Sequence, residues 1–138
     1  MNRKEFQSLT VLRTREAKIL LRENCYAGAY YLTGYAIECV LKACIAKQVK
    51  KWDFPDKKLA VDSHTHNIEV LLKLAGLSAQ HSLYGKGNSI FQVNWAIVKD
   101  WSEVKRYESN ISQQEAKDLF SAVNDSRYGI LKWIKGYW

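Results

Sequence analysis

Glu38 and Lys42 stand four residues apart, in the order that favours a helical ion pair, and Tyr35 lies one turn before them. Three groups able to hold charge therefore share one helix face. Trp101, Arg106 and Tyr107 form a second polar group, and Arg127 is a lone charge in a late apolar segment. The histidines His64, His66 and His81 supply the side chains best suited to proton transfer near neutral pH. As metal ligands they are poorly arranged. His64-x-His66 offers two donors, with no H-E-x-x-H, no clustered cysteines and no dense carboxylate group to complete a zinc site, so no metal and no cofactor is predicted. Loops of the types G-x-x-x-x-G-K-[ST], G-x-G-x-x-G and G-x-S-x-G are also absent, which disfavours the common nucleotide-dependent and hydrolase chemistries.

The elements that must position these groups read as helices. Hydrophobic residues make up 47% of 138 residues and 12% are aromatic, enough for one ring-rich core in a single domain over 1–138. No strings of alternating polar and apolar residues argue for a sheet, so an all-α, up-and-down antiparallel bundle of four to five helices is predicted. A first helix runs from about Arg3 to Glu23, its apolar stripe interrupted by Arg13 and Glu16. The second, from Cys25 to Lys50, is apolar almost all round until Glu38 and belongs at the centre. Its glycines and alanines let neighbours come close, and its tyrosines fill the space between.

Residues Trp52 to Ser63 read as a loop. Ser63 or Thr65 then caps a short helix carrying Ile68, Leu71, Leu72 and Leu74, with His64 or His66 assisting, and Gly76 stops it in the left-handed conformation. Ser78 to Ser89 reads as a connection with at most one helical turn, and a further helix is expected from Ile90 to Tyr107. The last helix opens on the capping box Ser112-Gln113-Gln114-Glu115 and continues to Ile134. Arg127 falls on its apolar stripe. A charge facing a bundle interior needs a partner, and Glu38 is the expected one.

The three cysteines, Cys25, Cys39 and Cys44, are odd in number and lie in apolar sequence, so they read as inert core thiols. No stretch reaches the roughly 18 apolar residues of a membrane span, and MNRKEF carries no secretory segment, so a cytoplasmic protein with no membrane role is expected. The net charge of +7 admits a polyanionic partner. Lysines concentrate after the second helix's midpoint, with Lys47, Lys50 and Lys51 as candidate phosphate contacts, and a second basic concentration lies on the first helix.

The run Tyr26-Ala27-Gly28-Ala29-Tyr30-Tyr31-Leu32-Thr33-Gly34-Tyr35-Ala36-Ile37-Glu38-Cys39-Val40-Leu41-Lys42-Ala43 is followed by His64-Thr65-His66-Asn67-Ile68 and Leu74-Ala75-Gly76-Leu77, then Trp101-Ser102-Glu103-Val104-Lys105-Arg106-Tyr107. In that order the segments resemble the HEPN family (higher eukaryotes and prokaryotes nucleotide-binding domain). The resemblance implies a helical bundle that pairs into a homodimer and works in RNA cleavage, toxin–antitoxin pairs or phage defence, often beside a nucleotidyltransferase or antitoxin partner. Active family ribonucleases carry an Arg followed four to six residues later by a His, and this chain has no such pair. What the resemblance then implies is a divergent RNA- or protein-binding module. One alternative is a metal-independent endoribonuclease with a rearranged pair, Arg106 or Arg127 acting with His66 or His64 from a spatial neighbour; another is the partner of a nucleotidyltransferase.

Overall fold

The computed structural model describes residues 1–49, 54 and 56–138. Among these the chain forms eight α-helices and one 3-10 helix, with no strand: α1 (Arg3–Arg22), α2 (Tyr26–Lys47), α3 (Lys57–Asp62), α4 (Ile68–Leu74), α5 (Ser78–Gly85), α6 (Ser89–Lys99), the 3-10 helix Glu103–Tyr107, α7 (Gln113–Asn124) and α8 (Ile130–Lys135). The helices pack as an all-α bundle. No helix among the described residues is long and apolar enough to cross a membrane.

Helix α2 occupies the middle, as its composition predicts. It touches α1, α4, the 3-10 helix, α7 and α8, and Ala36 to Leu41 are buried without a break. Its small residues work one at a time. The Gly34 Cα lies under the Trp101 ring, where a Cβ would overlap the indole, and Gly28 gives room to the Leu20 side chain. Side chains, rather than neighbouring backbones, fill the space those glycines leave.

Helices α1 and α2 join through Asn24, which takes φ +62, a conformation Asn tolerates better than most side chains. The turn closes as a Schellman stop, Cys25 N donating to Leu20 O (2.8 Å) and Asn24 N to Leu21 O (3.2 Å). Gly76, at φ +73, ends α4 in the same way, Leu77 N reaching Leu72 O with the Leu77 side chain buried, as expected.

Local hydrogen-bonding residues divide the chain more finely than its apolar periodicity suggests. Asp56 caps α3 inside the expected loop, its Oδ1 accepting from Leu59 N at 3.1 Å. The cap of α4 is Asn67, not Ser63, Thr65 or a histidine: its Oδ1 accepts from Val70 N at 3.0 Å. The segment after Leu77 forms the eight-residue helix α5, which turns His81 toward the core. The expected helix from Ile90 to Tyr107 stops at Lys99; Ser102 is extended, and a separate 3-10 helix follows.

The last helix is also two. Asp125 folds its carboxylate back onto Arg127 N (3.1 Å) and Tyr128 N (2.6 Å), an Asx-type turn that ends α7 and restarts the chain at α8. Ser112 caps α7 as expected by accepting from Glu115 N at 3.1 Å. The reciprocal capping box occurs instead at Asn2 and Glu5 on α1.

Candidate functional site

A polar stripe runs along α2 through Tyr31, Tyr35, Glu38 and Lys42, spaced four, three and four residues apart so that they share one face. Glu38 is its anchor. The side chain is only 2% exposed, and both of its partners meet the same oxygen: Lys42 Nζ lies 2.8 Å from Oε1 and His66 Nδ1 lies 2.9 Å from it. Oε2 is buried with no partner. A carboxylate so enclosed is tolerable only because positive charge stands against it.

His66 reaches Glu38 from the loop before α4, and its Nε2 lies 3.1 Å from Glu103 Oε2 on the 3-10 helix. Both ring nitrogens therefore face carboxylate oxygens. A neutral imidazole donates through one nitrogen only, so both contacts act as donor bonds when the ring carries both protons. His66 thus ties α2 to the 3-10 helix, and neither nitrogen is left free for a substrate.

Residues three apart eclipse in a 3-10 helix, which brings Arg106 onto the same side as Glu103. The Arg106 guanidinium stacks 4.8 Å from the Tyr107 ring centroid and donates from Nη2 to the Tyr107 hydroxyl at 2.8 Å. That hydroxyl, with a smaller contribution from nearby Tyr31, raises the Arg106 pKa. Tyr31 stacks on Tyr35 with ring centroids 6.0 Å apart and meets Trp101 at 5.9 Å. On the far side of Tyr35, Arg13 places its guanidinium 5.9 Å from the ring centroid and pairs with Glu16 at 2.7 Å. The Arg13 pKa is raised chiefly by its hydrogen bond to Glu16, and burial pushes the Tyr35 hydroxyl up to about 12.

Of the expected polar network, Tyr35, Glu38 and Lys42 do line one face, and His66 joins them. Tyr107 stands apart, 76% exposed and bonded only to Arg106. Arg127 does not meet Glu38: the Asp125 turn carries it out to solvent, where it lies against Tyr128. His64 is exposed. It lies on the wall of a cleft of about 420 Å³ between the start of α1, the end of α2 and α3, to which Lys42 also contributes. Lys47 is exposed and donates to Tyr137 O at 3.1 Å, while Lys50 and Lys51 lie outside the described residues.

Among the described residues no group of three His, Cys, Asp or Glu side chains is placed to hold a metal ion. Cys39 and Cys44 are buried, burial pushing their thiols up to about 12 and about 11. Cys25 is exposed at the start of α2 and so is not a core thiol.

Three members of the site, Arg13, Glu16 and Glu103, were not among the site residues expected from the sequence. Arg13 and Glu16 interrupt the apolar stripe of α1 because they pair with each other, a signal present in their three-residue spacing. Glu103 carries no local signal; only the fold brings it to His66. No family model, curated protein or solved structure matches the chain.

Proposed function

We propose that this chain is a non-catalytic, divergent HEPN-type module that pairs as a homodimer and binds RNA, within a toxin–antitoxin or phage-defence system. A nucleotidyltransferase or antitoxin partner goes with that reading. The observation that carries it is the Arg106–Tyr107 pair. A tyrosine ring 76% exposed, with a guanidinium stacked on it, is a surface on which an unpaired base stacks while the cation meets phosphate. Arg13, the Tyr31–Tyr35 ladder and the net charge of +7 add to it. The non-catalytic character is supported by His66, whose ring nitrogens both face carboxylates.

Binding of a single-stranded RNA oligonucleotide, followed by fluorescence anisotropy, tests this. Affinity is expected to fall steeply with salt, and Tyr107→Ala to cost about 1–3 kcal/mol, the usual value of one base–aromatic stack. Arg106→Ala should flatten the salt slope by about 0.7, the contribution of one phosphate contact on a single strand. RNA that stays unbound at low salt rules this reading out.

One observation favours the metal-independent endoribonuclease instead: Arg106 and the His66 partner Glu103 share one side of the 3-10 helix. If the purified protein cuts RNA without added metal, and His66→Ala and Arg106→Ala each abolish cutting, the enzyme reading replaces the binding one.

A further inference from the structure

The 3-10 helix that carries Arg106 and Tyr107 is held to the bundle lightly. None of its five residues is buried, although Trp101 before it and Ile111 after it are. Among the described residues its one ion pair to another part of the fold is Glu103 Oε2 with His66 Nε2, at 3.1 Å. Lys105 pairs within the segment, with Glu108. The other ring nitrogen, His66 Nδ1, lies 2.9 Å from Glu38 Oε1, which Lys42 also meets. The charged groups around the ring are therefore Glu38 and Lys42 from α2 and Glu103 from the 3-10 helix, with Arg106 one turn from Glu103. On the ring's own side, neither His64 nor Glu69 pairs with it.

The two carboxylates differ in what they can do without the ring. Glu38 is 2% exposed and cannot turn to water, whereas Glu103 is 39% exposed and can. When the imidazole gives up one of its two protons, the one that stays is therefore on Nδ1, against the buried carboxylate, because a buried acceptor is the costlier one to leave unpaired. Nε2 then turns a lone pair toward Glu103 Oε2 across 3.1 Å, two acceptors with no hydrogen between them. That contact changes from attractive to repulsive while Glu38 keeps its own. We propose that His66 is a proton-operated latch: the doubly protonated ring holds the 3-10 helix against α2, and loss of the Nε2 proton releases Glu103 and loosens the segment that presents Arg106 and Tyr107. A local change of charge thus acts on a weakly held element. Its consequence for RNA binding rests on the reading of Arg106 and Tyr107 as an RNA surface; the latch itself does not.

Amide hydrogen exchange of the full chain, read by NMR without RNA, tests the latch directly. Lys105 N is bonded to Ser102 O (3.2 Å) and Glu108 N to Lys105 O (3.1 Å), so their protection factors report whether the 3-10 helix is closed. Both are expected to fall about tenfold or more between about pH 5.5 and about pH 8, the span in which imidazoles change charge. His81 acts in the opposite sense, weakening the whole fold as pH drops, and cannot mimic the effect. Two variants separate the latch from a general loosening. In Glu103→Gln the amide accepts from a ring N–H or donates to a bare ring nitrogen, so protection is expected to stay high at both pH values. His66→Gln removes the titrating group, so whatever protection remains is expected not to change with pH. Both positions are partly exposed, and neither change opens the core. The latch is overturned if wild-type protection at Lys105 and Glu108 does not fall as pH rises, or if either variant shows the wild-type fall. In a separate arm, wild-type affinity for single-stranded RNA should weaken over the same pH interval and that of Glu103→Gln should not. A chain that binds no RNA at low salt overturns the RNA reading and leaves the exchange result standing; protection that ignores pH overturns the latch and leaves the RNA reading standing.

Discussion

Replacing Lys42 by Met leaves the Glu38 carboxylate buried with the His66 ring as its remaining polar neighbour, and His66 is shared with Glu103. Breaking a buried pair by removing one partner costs about 3–5 kcal/mol, because the other charge stays behind. Lys42→Met is therefore expected to lower the unfolding free energy in urea by about 3 kcal/mol. The double change Glu38→Gln with Lys42→Met should recover a large part of it, since a neutral amide needs no counter-charge. A loss below about 1 kcal/mol in the single variant would mean that His66 alone suffices. This pair was legible in the sequence, because four-residue spacing in a helix is a geometric statement. The roles of His66 and Glu103 were not: they lie 28 and 65 residues from Glu38, and only the completed fold brings them together. Arg127 was misplaced for the opposite reason. Apolar periodicity on both sides of it is genuine, but the local Asp125 hydrogen bonds break the helix that would have carried it inward.

Among the elements, α2 and the segment holding Trp101 fit only as a pair. Gly34→Ala would gain about 1 kcal/mol of helix propensity, yet its Cβ would enter the Trp101 indole, which is 2% exposed and has nowhere to retreat. Overpacking of this kind costs about 1–3 kcal/mol, and a rigid ring against a helix backbone belongs at the upper end, so the net outcome is a loss of roughly 2 kcal/mol. Chemical denaturation of Gly34→Ala measures that balance; adding Trp101→Leu should restore part of the difference by making room. Helix existence and the central place of α2 follow from its near-continuous apolar surface. Helix ends followed less well where Asp56, Asn67 or Asp125 offered the backbone a local partner, because such residues start or stop a helix without altering the hydrophobic pattern around them.

For the molecule as a whole, acid stability turns on the cluster joining α5, α6 and α8. His81 lies 4.5 Å from Trp95, 5.4 Å from Phe91 and 5.5 Å from Trp133 between ring centroids, with Nε2 buried and unpartnered. Burial lowers its pKa from the ordinary 6.5. Above that value the ring is neutral folded and unfolded alike, and it contributes its full stability. Below it the unfolded chain takes up a proton that the fold resists, so stability falls until the lowered folded pKa is reached. The melting temperature is expected to decline as pH drops below about 6.5, and His81→Phe to flatten that decline. An unchanged profile in the variant would move the acid sensitivity elsewhere. Cys25 bears on the same measurements in another way. As the exposed thiol of three, beside two that burial holds protonated, it is a native attachment point for a maleimide dye. A fluorophore placed there sits at the bend between α1 and α2, so the opening of that corner can be watched by its light without replacing a single residue.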